Sequence, residues 1–392
     1  MRLLLDKLFS SVAFGHLIVD VLNGQRAVLL AYLSVPLSLS NAALGLFSTI
    51  YVMAGSLSQP VFGFLVDRFG ARWAVAGGIL WMAGFFTLAL MAPGHLALWL
   101  LILASFGSAA FHPAGTMQAT LRGRTVLAGH ETTSAAYFFV FGQAGYFFGP
   151  LLGGPLLDRF GPSGLLLLTT LALPVGINAA QQLVPFTAPL KTGRGLAASF
   201  GSVAGLLASH RKGRRWPLVA FMLLAGIQAW SQQNMITFVP KYLSDLGQTA
   251  SMYGLIAALF MGGSAIGNGV GGHLADRIGK RRVAAGALAL ASLPLFLTGS
   301  VGWSYWLFVL VPLAGALTGS VHSIIVVLAQ RAIPGGMALA SGLILGFMFS
   351  CGALGTLFSG FLADQWGFPP VFHLTGGIAL AGAGLALTLR KE

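Results

Sequence analysis

One acidic residue of this chain lies deep inside an apolar stretch. Asp20 follows the start of the first apolar stretch by about twelve residues, or roughly 18 Å of helix at 1.5 Å per residue. The other acidic residues fall near the ends of apolar stretches or between them. A carboxylate in the middle of a bilayer is unfavourable unless it faces a partner or a water-filled cavity. Asp20 is therefore a candidate for reversible proton binding.

Two ionisable residues accompany Asp20 in the same stretch. His16 lies one helical turn earlier on the same face, and Arg26 lies six residues later. We predict that Asp20 and His16 couple transport to protons; the alternative is a purely structural pair of Asp20 with His16 or Arg26. Arg26 is the only cation predicted within a membrane span, and its planar guanidinium suits a phosphonate or carboxylate.

Two further histidines occupy matching places in the chain. His112 and His322 each lie in an apolar stretch, 210 residues apart. An imidazole changes charge near neutral pH, so it could bind an anionic group or pass a proton; a histidine that merely satisfies helix packing is the alternative. The predicted substrate-binding set is Arg26, His112, His322, Asn23, Gln143, Gln232 and Asn234. We expect no metal site, because no three ligand-type residues are predicted to come together.

These residues need apolar elements to hold them in place. Hydrophobic residues make up 56% of the 392 residues and charged residues only 8%, against about a quarter charged in soluble proteins. Such a chain belongs in a bilayer, where helices satisfy their own backbone. Twelve spans are predicted, at residues 8–33, 42–66, 73–92, 96–120, 132–157, 163–184, 216–240, 252–275, 283–301, 304–330, 337–363 and 369–389.

A repeated polar stretch divides the chain into two halves. GFLVDRFGAR at 63–72 returns as GHLADRIGKR at 272–281, 209 residues later. We predict an all-α membrane protein of two pseudo-symmetric six-helix bundles. The predicted parts are an N-terminal half at 1–184, a cytoplasmic linker at 185–215 and a C-terminal half at 216–392. Two parallel halves of this kind describe a secondary transporter that binds substrate between them near mid-membrane.

The repeated stretches resemble the loop between spans two and three of the major facilitator superfamily, and its copy between spans eight and nine. The resemblance implies that this loop latches the outward-facing state. It carries that gating role to Asp67, Arg68, Arg72, Asp276, Arg277 and Arg281. It also implies that spans one, four, seven and ten line the cavity.

A second stretch resembles a signature of the same superfamily. GPLLGG at 149–154 is similar to the span-five signature of its proton-coupled antiporters, which adds Gly149 and Pro150 to the gating residues. Close helix packing by small residues is the alternative interpretation.

Three short motifs narrow the resemblance. HLIVD at 16–20, SQP at 58–60 and GSAAFHP at 107–113 resemble the fosmidomycin resistance group, whose members export a small anionic phosphonate antibiotic. The resemblance implies export of a small anionic or drug-like molecule by proton antiport with alternating access. Proton-coupled uptake of an organic anion and transport of a lipid or lysolipid stay open as alternatives.

The basic residues predict the orientation. If the N-terminus is cytoplasmic, all but Arg26, Arg159 and Lys241 of the 22 lysines and arginines fall in inner loops and tails. We expect a monomer in a bacterial cytoplasmic (inner) membrane with both termini inside, contacting membrane lipid and a small-molecule substrate. The net charge of +13 lies in short loops, so no nucleic-acid partner is expected. No nucleophile–base pair or phosphate loop indicates an enzyme, and the expected energy source is a proton gradient without a cofactor.

Overall fold

The computed structural model is helical throughout the part of the chain that it describes, residues 3–126, 131–183, 215–332 and 337–389. The helices are α1 (Lys7–Ser34), α2 (Asn41–Phe69), α3 (Arg72–Met91), α4 (Leu96–Val126), α5 (Glu131–Phe160), α6 (Leu166–Thr170), α7 (Ala172–Gln182), α8 (Arg215–Asp245), α9 (Ala250–Ile278), α10 (Lys280–Ser300), α11 (Leu307–Ala332), α12 (Met337–Trp366) and α13 (Phe368–Thr388). The first five are the first five predicted spans, α6 and α7 form the sixth, and α8 to α13 are the last six. The predicted all-α fold is confirmed; nearly all of the predicted linker lies outside the described residues.

Most of these helices have the length and the apolar composition of membrane-spanning helices. Within the described residues, nine helical segments are long and apolar enough to cross a membrane, and α11 adds a shorter apolar stretch at Leu307–His322. Large apolar side chains such as Ile266, Leu290 and Leu293 are exposed on the outside of the bundle. Such a surface is stable against lipid tails and unfavourable in water.

Helix α1 occupies the middle of the bundle. In its most apolar window 83% of the residues are buried, against 33% in the sixth span. Glycines of α5 allow this close packing: a Cβ on Gly145 would meet the Leu17 carbonyl and lie 2.8 Å from the Val21 nitrogen. Small residues let two helices approach until their backbones touch. The α1–α5 crossing therefore fixes the position of every polar side chain on α1.

The repeated stretches form equivalent turns. We call the end of the bundle at which α1 begins the proximal end, and the opposite end the distal end. Gly70 ends α2 with φ of 84° and Gly279 ends α9 with φ of 94°, both at the proximal end. A left-handed residue after a helix favours glycine, since a Cβ is strained there. The two Gly-rich turns are thus structural copies, as the sequence repeat predicts.

A carboxylate of the first half caps a helix of the second half at the distal end. Asp158, in the last turn of α5, accepts hydrogen bonds from the backbone nitrogens of Ala250 (2.8 Å) and Ser251 (2.7 Å), at the start of α9. The Ser251 hydroxyl also donates to Asp158. These N–H groups have no partner within their own helix, and the helix dipole favours a negative charge there.

A carboxylate of the second half caps a helix of the first half in the same way. Asp364, in the last turn of α12, accepts hydrogen bonds from the backbone nitrogens of Asn41 (2.7 Å) and Ala42 (2.8 Å), at the start of α2. Further down this seam, the Thr49 hydroxyl donates to the Ala353 carbonyl at 2.7 Å. The α2–α12 and α5–α9 seams therefore close the distal end across both halves.

One ion pair at the proximal end stays within the first half. Asp6 caps α1 by accepting from the Phe9 nitrogen at 2.9 Å, and it pairs with Arg122 of α4. Burial alone would raise the pKa of Asp6, but the hydrogen bonds from Arg122 and Phe9 outweigh it and hold that pKa below its ordinary value. This pair ties α1 to α4 and crosses no seam.

Candidate proton and substrate site

A cavity of about 150 Å³ lies between the two halves. Helices α1, α2, α4 and α5 line it from the first half, and α8, α9, α11 and α12 from the second. The residues that α1 contributes are His16, Asp20, Asn23 and Arg26. Their spacing of four, three and three residues places them on one helical face.

Asp20 lies between two histidines. The His16 Nε2 is 3.1 Å from one carboxylate oxygen of Asp20, and the His112 Nε2 is 3.6 Å from the other. All three side chains are buried, with 3%, 3% and 8% exposure for His16, Asp20 and His112. The contact from His112 on α4 is one that no local spacing in the sequence predicts.

The far side of each imidazole is already engaged. The His16 Nδ1 is 2.8 Å from the Phe138 carbonyl, and the His112 Nδ1 is 2.8 Å from the Ser108 carbonyl. A carbonyl only accepts, so each Nδ1 must donate its hydrogen there. Proton exchange is then left to the two Nε2–carboxylate contacts, which together hold between zero and two protons.

The expectation that no three ligand-type side chains come together is wrong. The ligand-type atoms of His16, Asp20 and His112 all lie within 4.8 Å of one another. His16 and Asp20 are on α1 and His112 is on α4, so the convergence of all three follows from tertiary packing. Among the described residues this is the group that a divalent ion could bridge, and an ion there would compete with protons for Asp20.

We call His16, Asp20 and His112 the Asp20 cluster. Asn23 connects this cluster to α2 and, by a separate bond, to Ser108 of α4. Its Nδ2 donates to an Asp20 oxygen at 2.9 Å and to the Ser108 hydroxyl at 3.1 Å. Its Oδ1 accepts from the Tyr51 hydroxyl of α2 at 2.7 Å. Asn23 lines the cavity, as predicted for a substrate-binding residue, yet both of its polar atoms are engaged within the protein.

Arg26 faces the cavity, and the part of the chain that the structure describes gives it no anionic partner. Its guanidinium carbon lies 4.4 Å above the ring of Tyr51, and the side chain is 3% exposed. The Nε and one terminal nitrogen have no hydrogen-bond partner in the described residues. A buried guanidinium with free donors is suited to a planar anionic group.

The second half contributes polar groups of a different kind. His322 lines the cavity, and its Nδ1 has no partner among the described residues. Gln232 also lines it and donates to the Ser264 hydroxyl at 3.1 Å. From the first half, Gln143 of α5 faces the same space. His112 and His322 are therefore symmetric in sequence but not in chemistry, since the described part of the second half has no acid beside His322.

Asn234 is a correction to the predicted substrate site. Its Nδ2 donates to the Ser359 hydroxyl at 2.9 Å and the Thr375 hydroxyl at 3.0 Å, on α12 and α13. It is fully buried and does not line the cavity. Residues two apart on a helix point about 200° apart, so Gln232 and Asn234 cannot both face the same cavity.

Sequence reasoning missed two aromatic contributors. Tyr51 of α2 and Phe139 of α5 line the cavity, and Tyr51 bonds directly to Asn23. Tyr146, another aromatic residue of α5, also lines the cavity. No spacing signal separates a cavity-facing aromatic from a lipid-facing one, because both lie in uniformly apolar helices.

Comparison with known proteins identifies the architecture. The family model of the Major Facilitator Superfamily matches residues 12–180 and 221–392. The chain belongs to the Major Facilitator Superfamily. It is therefore a transporter rather than an enzyme, and a multi-pass integral membrane protein, as the sequence predicts.

Individual members of the superfamily resemble the chain over most of its length. The fosmidomycin resistance protein of Escherichia coli (strain K12) is 25% identical over 380 residues, covering 96% of this chain and 91% of that protein. Monocarboxylate transporter 11 of Homo sapiens is 31% identical over 367 residues, covering 88% and 74%. A crystal structure of a mutant of the nucleoside transporter NupG has a TM-score of 0.78 at 15% identity, covering 97% and 99%, and shares the fold.

The residues that the superfamily resemblance assigns to gating lie in two separate parts of the bundle. Gly149 packs on α1, where a Cβ would lie 2.8 Å from the Gln25 nitrogen. Pro150 lies at the α5–α9 seam, because its carbonyl would contact a Cβ on Gly254. These two residues are close to the distal closure.

The charged gating residues lie at the proximal end, away from both distal caps. Arg72 donates to the Ala180 carbonyl at 2.7 Å within its own half, and Arg68 lies over the ring of Phe69. Asp67, Arg277 and Arg281 form no described hydrogen bond or ion pair across the halves, and the side chain of Asp276 is outside the described residues. Among the side chains that the structure describes, the carboxylate contacts between the halves are thus at the distal end, in Asp158 and Asp364.

Proposed function

We propose that this superfamily member exports a small anionic or drug-like molecule by proton antiport with alternating access. The observation that carries the proposal is the buried Asp20 carboxylate, held between His16 and His112 on the wall of the central cavity. An intramembrane acid that faces a cavity is a functional group by default, since its burial is otherwise unfavourable. Similarity to a fosmidomycin resistance protein supports the direction of transport.

The proposed cycle alternates between two exposures of the cavity. The basic residues gather at the proximal end, which we place in the cytoplasm of a bacterial inner membrane with both termini there. The distal closure suits the state in which the cavity exchanges with the cytoplasm. Substrate enters in that state, takes over hydrogen bonds around Asp20 and displaces its proton. The halves then open distally, where substrate leaves and a proton returns to Asp20.

Several charged or titratable groups line the cavity together with Asp20. His16 and Arg26 lie on its own helix, His112 on α4, Tyr51 on α2 and Tyr146 on α5. We propose that the protein works as a monomer in membrane lipid, with a small-molecule substrate and a proton gradient and without a bound cofactor. Arg26 and His322 would hold the anionic part of the substrate from opposite halves.

Proton-coupled uptake of an organic anion is the second candidate, and the unpaired Arg26 favours it. An anion on Arg26 places negative charge near Asp20, which makes proton binding there more favourable. Anion and proton would then bind together and travel in the same direction. Similarity to a monocarboxylate transporter agrees with this possibility. Antiport instead requires that the substrate also competes directly for Asp20.

The sign of proton exchange on binding separates the two candidates. Fosmidomycin and lactate are added separately to purified protein in weakly buffered detergent solution with a pH indicator and a metal chelator. Antiport predicts proton release with fosmidomycin, and symport predicts proton uptake. Asp20→Asn should abolish either signal, whereas Asp245→Asn, at the distal end of α8, should keep it.

Two outcomes would reject parts of the proposal. An unchanged proton signal in Asp20→Asn would reject Asp20 as the proton site. If neither compound binds, as followed by thermal unfolding of the protein at two pH values, the proposed substrate class is wrong.

A further inference from the structure

Asn23 is the point at which three helices of the first half meet through polar bonds. Its amide nitrogen donates one hydrogen bond to Asp20 and one to Ser108, and its carbonyl oxygen accepts a hydrogen bond from the Tyr51 hydroxyl. All of its hydrogen-bonding atoms have partners, and its side chain is 4% exposed. Asn23 therefore has one orientation, which the Tyr51 hydroxyl and the Asp20 carboxylate define together.

Tyr51 connects this orientation to the unpaired cation. The Arg26 guanidinium lies over the Tyr51 ring, and the hydroxyl of the same ring donates to Asn23. A cation above the ring withdraws electron density and strengthens the hydroxyl as a donor. The chain of contacts runs from Arg26 through Tyr51 and Asn23 to Asp20, with each distance at contact range.

We propose that Tyr51 and Asn23 are positioning residues that couple the occupation of Arg26 by an anion to proton binding at Asp20. The proposal rests on the proposed function, in which Arg26 meets the substrate anion and Asp20 holds the proton. It reassigns Asn23 from a substrate ligand to a link between two sites. Occupation of Arg26 weakens the hydrogen bond that Tyr51 donates to Asn23. The amide of Asn23 then donates less firmly to Asp20, which makes the ionised carboxylate of Asp20 less stable.

The same link reaches the seam between the halves. Tyr51 lies on α2 two residues after Thr49, which bonds to the Ala353 carbonyl of α12. The proposed link thus ends on α2, a helix that also takes part in closing the distal end. Tyr51 is the described residue that bonds the proton site to this helix.

The test measures the pH at which the Asp20 cluster takes up a proton. Infrared difference spectra of the purified protein follow carboxyl and imidazole bands, and the bands lost in Asp20→Asn identify the cluster. Tyr51→Phe keeps the ring under Arg26 and removes only the hydroxyl. Because Asn23 then donates less firmly to the carboxylate, the midpoint should rise by about 0.5 pH units or more.

A matched control removes a hydroxyl elsewhere. Tyr32→Phe, near the distal end of α1 and outside the cavity lining, should leave the midpoint unchanged. Thermal unfolding of each variant checks that it is folded. An equal shift in both Tyr→Phe variants would overturn the proposal.

Two double-mutant cycles distinguish a link from a general structural effect. Asn23→Leu should raise the midpoint, and adding Tyr51→Phe to it should change nothing further, because the path is already cut. Arg26→Gln imitates a neutralised guanidinium, and its effect on the midpoint should be smaller in the Tyr51→Phe background. Additive effects in both cycles would overturn the link.

The outcomes separate this proposal from the proposed function. A wild-type cluster that titrates normally but does not respond to Tyr51→Phe rejects the link alone. A cluster whose bands do not titrate at all in the wild-type protein rejects the proton site and the link with it.

Discussion

At the scale of single residues, Gly142 lies directly against the Asp20 cluster. A Cβ on this glycine of α5 would meet the His16 Nε2 and would lie 2.7 Å from an Asp20 oxygen. Both atoms are ends of side chains, which can rotate away. A methyl group there would therefore displace the cluster while leaving the helix packing largely intact.

Gly142→Ala should separate function from stability. We expect the His16–Asp20 contact to break, with loss of most proton-coupled transport and a shifted proton-uptake midpoint, while the unfolding temperature changes little. Proton flux into liposomes and thermal unfolding are the measurements. Gly84→Ala on α3 is the control, because nothing lies within 4 Å of its Cβ position. Normal coupling in Gly142→Ala would show that the cluster tolerates displacement.

At the scale of helices, the α1–α5 crossing holds the site together. Gly145 lies one turn after Gly142, yet its Cβ would meet backbone atoms of α1, including the Leu17 carbonyl and the Val21 nitrogen. Backbone cannot rotate aside as a side chain does, so the two helices must separate. The two glycines on one face of α5 thus have different roles. Gly142 leaves space for the His16 and Asp20 side chains, and Gly145 lets the backbones of α1 and α5 approach closely.

Gly145→Ala should destabilise the protein by roughly 1–3 kcal/mol, the usual range for overpacking. The expected observation is a lower unfolding temperature of the detergent-purified protein. Gly269→Ala on α9, which meets nothing within 4 Å, serves as the matched control and should unfold like the wild type. Equal unfolding temperatures for the two variants would contradict the close crossing.

At the scale of the whole molecule, two carboxylates hold the halves together at the distal end. Asp158 and Asp364 occupy equivalent positions, each in the last turn of one helix and each capping a helix of the other half. Opening this end must break all of these bonds. The two caps therefore favour the distally closed state over the distally open one.

Asp158→Ala and Asp364→Ala should each shift the balance towards the distally open state. Loss of a cap costs about 1 kcal/mol, or roughly a fivefold change in population, and the double variant should show about thirtyfold. The measurement is labelling of Ser264→Cys, in a Cys351→Ser background, by an impermeant thiol reagent added from the distal side of liposomes.

The control for this experiment keeps both caps. Asp245→Ala removes a charge at the same end, but Asp245 pairs with Lys241 one turn earlier in the same helix. Its labelling rate should match that of the parent protein. Rates that do not differ between the cap variants and this control would show that the caps do not govern opening.

Much of the architecture follows from local sequence patterns. Apolar stretches of membrane length must be helices, because backbone groups in lipid need partners within the same segment. The repeat at 63–72 and 272–281 predicts two equivalent turns, and Gly70 and Gly279 both have a positive φ. His16 and Asp20 face each other because a spacing of four residues is one helical turn.

The composition of the site depends on packing that no local pattern contains. The sequence of a helix does not determine which side faces the cavity when every side is apolar, so Tyr51 was missed. Asn234 was misplaced because residues 231–234 are all polar and point to different sides of α8. His112 joins Asp20 only because α4 packs beside α1, and Asp158 caps α9 only because the halves meet at the distal end. The sequence by itself determined the helices, their repeat and the isolated acid. Tertiary structure decided which side chains surround that acid, since contacts between helices depend on their relative rotation.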